Sequence, residues 1–282
     1  MNIGFLMDPL SKINIKKDTT FAMLLAAKAR GWNTSVIMPD DIWLQDGIAW
    51  GRVQTIAVYD DASHYYEIKE IIEQPLVDLD VLLMRKDPPV TMQYMYLTYL
   101  LEQAESQGLL VLNKPSSLRD ANEKLFTAWF PQCCPKTLVT SKSDLILDFV
   151  DSVEDAVIKP LDNMGGQSIF RLSANDPNQH VIIETVTQQG TQKVMVQQFI
   201  PDIVNGDKRI LMIDGEPVPY ALARVPASDD FRGNLASGAT GEGRELTDRD
   251  RWICEQVGPV LKEKGLIFVG LDVIGDYLTE IN

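Results

Sequence analysis

Histidine is nearly absent from this chain. With only His64 and His180, chemistry built on a histidine base has few candidates. Cysteine is scarce too: three residues, two of them adjacent (Cys133, Cys134), with no Cys-x-x-Cys spacing. That pattern fits reduced thiols in a cytoplasm rather than a disulfide framework or a zinc site. Cations are outnumbered, 26 Lys and Arg against 40 Asp and Glu, for a formal net charge of −14. A field of that sign repels phosphate backbones, so nucleic acid is not an expected partner. No apolar run approaches the roughly 18 residues of a membrane span, and no membrane partner is expected. The opening residues Met1-Asn2-Ile3-Gly4-Phe5-Leu6-Met7-Asp8 lack a basic stretch and reach an acid early, so a secretory leader is not expected there. Two phosphate-binding signatures are also missing. No Gly-x-x-x-x-Gly-Lys-[Ser/Thr] occurs, and no Gly-x-Gly-x-x-Gly follows the first apolar stretch.

What is present is a globular composition, 45% hydrophobic and 23% charged over 282 residues, enough for two domains. The first part alternates strands and helices. Strands are expected at Asn2 to Met7, Thr34 to Met38, Leu79 to Met84 and Leu109 to Leu112. Helices are expected from Asp18 or Thr19 to about Arg30, stopped by Gly31, and from Thr91 to Gln107. This rhythm predicts an open parallel sheet, which binds ligands beyond the carboxyl ends of its strands. Asp8 and Arg85 stand at two such ends, where they either meet a ligand or solvate loop entries. After about Ser116 the rhythm changes. Helices are expected at Leu118 to Phe130, Ser143 to Val153 and Trp252 to Lys264. Strands are expected at Lys136 to Thr140, Ala156 to Pro160, Ser168 to Leu172, Val194 to Phe199, Arg209 to Asp214, Pro219 to Val225, Leu266 to Ile274 and Leu278 to Asn282. Strands that follow one another without helices pair antiparallel. Pro226 to Gly243 reads as one long glycine-bearing loop, a length more typical of a functional lid than of a passive connector.

Three places carry chemistry. In Ile158-Lys159-Pro160-Leu161-Asp162-Asn163-Met164-Gly165-Gly166, a strand delivers a lysine and a glycine pair then exposes backbone amides. Such a turn suits phosphate, and a plain hairpin is the alternative. Lys124 lies at the edge of an expected apolar helix face formed by Leu125, Phe126 and Trp129, where a lone lysine is usually solvated. In Phe268 to Ile274, alternation sets Asp272 opposite in face to Leu271 and Val273. A three-residue turn at Gly275-Asp276-Tyr277 pairs Ile274 with Leu278 and therefore Asp272 with Glu280, and Asn282 faces the same way. Three hard oxygen donors on one face suit Mg²⁺; a solvated polar side of a hairpin is the alternative. Arg209, Arg224 and Arg232 supply cations that could clamp an anion.

Taken together, Asn14-Ile15-Lys16-Lys17-Asp18, Met84-Arg85-Lys86-Asp87-Pro88-Pro89, Asn113-Lys114-Pro115, Leu118-Arg119-Asp120, Glu123-Lys124-Leu125, Lys159-Pro160-Leu161-Asp162, Met164-Gly165-Gly166, Gly215-Glu216-Pro217-Val218-Pro219 and Leu278-Thr279-Glu280-Ile281-Asn282 resemble the bacterial glutathione synthetases of the ATP-grasp superfamily. The likeness runs the length of the chain. It implies an α/β chain of ATP-grasp fold: an N-terminal open parallel α/β domain over 1–122, a small central lid domain over 123–200 and a C-terminal antiparallel α+β catalytic domain over 201–282. It implies an ATP-dependent ligase that joins γ-glutamylcysteine and glycine, giving glutathione, ADP and phosphate, with Mg²⁺ (or Mn²⁺) as cofactor. Carried over by motif, Lys124 and Lys159 contact the nucleotide phosphates and Gly165 and Gly166 close over them. Gln198, Phe199 and Ile200 form the adenine hinge, and Asp207 reaches the ribose. Arg209 and Arg224 face the reacting groups, Asp272, Glu280 and Asn282 hold the metal, and Asp18, Arg85 and Arg232 contact substrate. It further implies a cytoplasmic homo-oligomer, a tetramer. Another ATP-grasp carboxylate–amine ligase and a non-catalytic ATP-binding module are the competing readings. Family chains run on past the Glu280-Ile281-Asn282 motif, so the sequence reads as a piece of a longer chain, and a terminal Asn282 is expected to fray unless tied down.

Overall fold

The computed structural model describes residues 1–163, 165–226, 233 and 239–282. They fall into two compact units, Met1–Asp120 and Ala121–Asn282. The first comprises β1 (Asn2–Leu6), α1 (Thr19–Ala29), β2 (Asn33–Ile37), β3 (Ile42–Gln45), β4 (Ile48–Val58), β5 (Tyr66–Pro75), β6 (Val81–Met84), α2 (Met92–Ser106), β7 (Leu110–Leu112) and α3 (Pro115–Asp120). Both long helices start where a side chain satisfies an orphan amide: Asp18 accepts from Phe21 N and Thr91 from Tyr94 N. The sheet runs β3-β4-β2-β1-β6-β7, with β5 on β4. β1 pairs in parallel with β2 and β6, and β6 with β7, as alternation predicts. The sheet is nevertheless mixed, because β3, β4 and β5 extend it antiparallel. These strands lie in a stretch with no clear expectation. β5 is exposed from Glu67 to Glu73, so no buried apolar face marks it, and the alternation begun at Tyr66-Glu67-Ile68-Lys69 is lost by Ile71-Ile72.

The second unit holds β8 (Thr137–Thr140), α4 (Ser143–Val153), β9 (Asp155–Pro160), β10 (Phe170–Ser173), α5 (Gln179–Val186), β11 (Val194–Gln198), β12 (Asp207–Ile213), β13 (Glu216–Val225), β14 (Thr240–Glu245), α6 (Asp248–Glu263), β15 (Phe268–Ile274) and β16 (Tyr277–Ile281). Two antiparallel sheets result, β10-β9-β11-β8 and β14-β13-β12-β15-β16. In the smaller one, Ile158, Leu172, Val194 and Val196 bury against Ile146 and Val150 of α4 and Ile183 of α5. In the larger one, Ile210, Met212, Ala223, Leu271 and Val273 are buried, as are Ile253, Val257 and Leu261 of α6. The alternate positions of the same strands then form the opposite face.

Four local expectations are corrected. The helix expected over Leu118 to Phe130 is interrupted: α3 ends at Asp120 and a 3₁₀ turn covers Leu125–Trp129. Asn122 causes the break, its Oδ1 accepting from Lys124 N (3.1 Å) and Leu125 N (2.9 Å). Helix α5 lies between two expected strands, masked by β-branched Val181, Ile182, Ile183, Thr185 and Val186, which are weak helix formers. The long loop expected from Pro226 to Gly243 ends earlier, in β14. The β15–β16 turn is one residue tighter than expected, with Ile274 opposite Tyr277. A bulge between Asp272 and Val273 then restores the register, so Asp272 does face Glu280. Asn282 is tied down by a reciprocal pair of backbone bonds with Gly270, 2.7 and 2.8 Å. Among the described residues, no helix is long and apolar enough to cross a membrane.

Candidate active site

Register explains why distant cations and carboxylates meet on one face of the larger sheet. Arg209 of β12 stands opposite Asp272 of β15 on one side and Leu222 of β13 on the other, and Asp207 stands opposite Arg224. The Arg209 guanidinium donates to both oxygens of Asp272, Nε to Oδ1 and Nη2 to Oδ2, at 2.6 Å each. This is the bidentate fork that a planar guanidinium makes best. Arg224 Nη2 adds a contact to Asp272 Oδ2 at 2.8 Å and also donates to Asp207 Oδ2. Asn282 Nδ2 reaches Asp272 Oδ2 at 3.3 Å.

Two lysines arrive from elsewhere. Lys124 Nζ and Lys159 Nζ each lie 3.8 Å from Glu280 Oε1. Lys159, next to last in β9, is buried and donates to the Thr279 carbonyl at 3.3 Å. Lys124 is not solvated as expected; only 2% of it is exposed. The Asn122 turn points it inward, where Nζ donates to Glu123 and, at 2.7 Å, to Asn163 O in the glycine loop. In that loop Gly165 and Gly166 both have positive φ (65° and 76°), a backbone that only glycine adopts without strain. Lys159, Gln198, Phe199, Ile200, Asp207 and Glu280 line one cavity together with Ile203 and Thr279. Its edge is held by Phe199 N donating to Asp155 O (2.9 Å) and by Arg171, whose guanidinium stacks 4.1 Å above the Phe199 ring.

Electrostatics in this cluster are tightly opposed. Burial alone would raise the Asp272 carboxyl, but Arg209 and Arg224 outweigh it and hold it below the usual carboxylate range. Asp207 goes the other way, pushed up to about 8 by burial and by the Asp272 charge against the pull of Arg224. Burial likewise lowers the Lys159 ammonium and raises Glu123. Two buried atoms of this cluster, Asp207 Oδ1 and Arg224 Nε, have no partner among the described residues. Buried polar groups are seldom left unpaired, and those that are commonly mark a place where a ligand completes the set.

The donor set at Asp272, Glu280 and Asn282 fits a hard cation: two carboxylates and an amide, all oxygen ligands. Among the described residues no group of three or more His, Cys, Asp or Glu is placed to hold a metal. Two carboxylates and an amide leave a divalent cation room for further oxygens from a ligand, as Mg²⁺ prefers.

The two remaining described candidates lie in the first unit. Asp18 caps α1 through Oδ1 (2.8 Å to Phe21 N). Arg85 donates to the hydroxyls of Thr20 and Thr19 at 3.1 Å. Both line a cavity of about 210 Å³ with Asp8, Lys17 and Asp87. Arg232 lies outside the described residues. Several participants escaped the sequence reading. Thr279 acts through its carbonyl, which no side-chain pattern reports, and Glu123 sits in an ordinary Glu-Lys pair. Gly270 did leave a signal, since glycine in mid-strand usually marks a close approach.

A cleft lined by two antiparallel sheets, with a lysine from one and clustered carboxylates and arginines from the other, is the arrangement of an ATP-grasp protein. Solved structures agree on the fold. D-cycloserine synthetase DcsG superposes with TM-score 0.68 at 12% identity, covering 99% of this chain and 91% of that one. The ATP-grasp ligase PsnB, solved with minimal precursor, Mg and ADP, gives 0.63 at 17% identity, covering 99% and 88%. Residues 1–119 match the prokaryotic glutathione synthetase N-terminal domain, and residues 123–282 match its ATP-grasp domain. The glutathione synthetase of Coxiella burnetii is 61% identical over 282 residues, 100% of this chain and 88% of that protein. Those of Pseudomonas aeruginosa and Shewanella oneidensis are each 55% identical, with 89% and 90% of their lengths covered. The chain belongs to the prokaryotic glutathione synthetase family and is an ATP-dependent ligase.

Proposed function

We propose that this chain joins the cysteinyl carboxylate of γ-glutamylcysteine to the amine of glycine at the expense of ATP, through an acyl phosphate. The carboxylate oxygen attacks the γ-phosphorus and ADP leaves. The glycine nitrogen then attacks the acyl carbon, and phosphate leaves as the C–N bond forms. Negative charge gathers on oxygens in both steps, so preorganised cations matter most. The observation that carries this reading is the convergence of Lys124 and Lys159 on Glu280, beside Asp272 clamped by Arg209 and Arg224.

In this reading the lysines neutralise the nucleotide phosphates and the loop of Gly165 and Gly166 covers them. Gln198, Phe199 and Ile200 hold adenine, and Asp207, whose Oδ1 lacks a partner among the described residues, takes the ribose. Asp272, Glu280 and Asn282 hold Mg²⁺, or Mn²⁺ in its place, which supplies charge neutralisation for the transferring phosphoryl group. Arg209 and Arg224, gathered around Asp272, face the phosphoryl and acyl oxygens. Asp18 and Arg85 contact the dipeptide, and Arg232 belongs to a lid that protects the acyl phosphate from water. The lid domain spans 123–200 and the catalytic domain 201–282. The protein acts as a homo-oligomer, a tetramer, in the cytoplasm; its three cysteines are free thiols, as a reducing compartment requires.

The test is phosphate release with Mg·ATP, γ-glutamylcysteine and glycine, each omitted in turn, with glutathione followed by mass. Release that needs all three, with glutathione formed, is the expected result. Release without glycine, or a different ligated product, overturns the substrate assignment.

A further inference from the structure

Asp272 and Glu280 face each other only because the β15–β16 hairpin closes where it does. The turn is two residues long, Gly275 and Asp276, and a bulge beside Asp272 shifts the register by one. A slip of either would send these carboxylates to different faces. The turn's two carbonyls are both held by cations from behind, on the α6 side of the sheet. Lys208, between Asp207 and Arg209 on β12, points away from the cleft. Its Nζ donates to Gly275 O at 3.2 Å and pairs at 2.5 Å with Asp250 Oδ1. Arg249 Nε donates to Asp276 O at 2.9 Å and its Nη2 to Gln132 O at 3.2 Å.

The Lys208 pair goes beyond what the helix needs. Asp250, 0% exposed, already completes a capping box with Thr247: Oδ2 accepts from Thr247 N at 2.9 Å and Asp250 N donates to Thr247 Oγ1 at 3.1 Å. The cap uses one carboxylate oxygen, and Lys208 joins the other to the turn. The turn also has no room to drift, because Asp202 packs on Gly275 so closely that an added Cβ would meet its Oδ2 at 2.9 Å. One strand thus carries Arg209 toward Asp272 on its front and a lysine that fixes the hairpin bearing Asp272 on its back.

We propose that Lys208 and Arg249 are positioning residues that clamp the Gly275–Asp276 turn from behind and so hold Asp272 opposite Glu280 for cation binding. This rests on the reading of that carboxylate pair as metal ligands. The experiment measures Mn²⁺ binding by electron paramagnetic resonance with ADP present, alongside urea unfolding, on the full chain. Lys208→Met/Asp250→Asn removes the ion pair without leaving an unpaired buried charge, and an asparagine can still accept the cap bond. The expected result is an unfolding midpoint within about 0.5 M urea of the parent, half-saturating Mn²⁺ raised roughly tenfold, and an unchanged KM for the dipeptide. Parent-like Mn²⁺ binding in the double variant overturns the proposal. Should that variant fail to fold, Arg249→Met carries the test, with about a threefold weakening expected for loss of its one hydrogen bond to the turn and none overturning it. Asp272→Asn separates the two claims: if it binds Mn²⁺ as the parent does, the metal reading itself is wrong.

Discussion

The larger sheet of the second unit carries buried ion pairs on both faces, and they are built differently. Behind it, Lys208 pairs with Asp250, the Thr247 amide takes the other carboxylate oxygen and the Gly275 carbonyl a second ammonium proton. In front, Asp207, Arg209, Arg224 and Asp272 crowd together, yet Asp207 Oδ1 and Arg224 Nε have no partner among the described residues. A closed set holds the fold; an open one costs stability and waits for something to complete it. Breaking one partner of the rear pair should therefore register in stability, and disturbing the front cluster in chemistry.

Asp272→Asn tests this hardest. It removes the charge that both arginines hold, and we expect kcat/KM for glutathione formation to fall about 10³-fold or more, as loss of a preorganised electrostatic group does, with folding retained. Activity within tenfold of the parent would break the contrast at its front. Asp250→Ala tests the rear. It leaves Lys208 charged, buried and without its carboxylate, and deletes the Asp250 half of the α6 capping box. Unfolding in urea should show a loss of about 3–5 kcal/mol. A loss under about 1 kcal/mol would mean that water reaches the lysine and that the rear pair is no more closed than the front.

How far the sequence discloses these two faces follows from what each depends on. Asp272 opposite Glu280 is legible because alternation along a strand and closure of a hairpin are local rules. Even there the answer arrived with two compensating errors, a turn one residue shorter and a bulge that made up the difference. The start of α6 is set locally as well, by the Thr247 capping box, yet the expected helix begins only at Trp252, past that cap. Lys208–Asp250 is not: the partners are 42 positions apart, and in sequence each looks like a surface charge. Burial of Lys124 was equally hidden, since it depends on Asn122 breaking a helix that the apolar spacing alone would continue. In the first unit, β5 exposes both faces, so no buried apolar face marks it.

The open front cluster has a pH signature. Asp207 is pushed up to about 8 by burial and by Asp272, whereas in the unfolded chain it titrates near about 4. The folded state thus binds more protons between those values, and its stability falls as pH rises through that window. Stability from this group is fully present below about pH 4 and gone above about pH 8. Asp207→Asn cannot ionise, so relative to the parent it should gain stability on going from pH 5 to pH 8.5. The KM for ATP should rise about tenfold as the ribose contact weakens. Paired urea titrations at the two pH values decide it; a difference independent of pH would place Asp207 among the satisfied groups.

The smallest effect expected concerns a side chain that is not there. Gly270 sits in mid-strand two residues before Asp272, and the Arg209 stem lies across it; an added Cβ would meet Arg209 Cδ at 2.9 Å and Nε at 3.2 Å. Alanine fits the extended backbone of β15, so the fold should lose no more than about 1 kcal/mol. Arg209, however, must lift, and its fork on Asp272 is made through that same Nε at 2.6 Å. A guanidinium displaced by a few tenths of an ångström still binds a carboxylate, but no longer with both bonds aligned. Gly270→Ala should lower kcat about 5–10-fold, a loss of about 1 kcal/mol of transition-state stabilisation, with KM for ATP unchanged because Lys124 and Lys159 are untouched. If kcat holds while KM rises, Arg209 serves nucleotide binding rather than the reacting groups. The front face would then be a phosphate cradle, with the acyl chemistry left to Arg224.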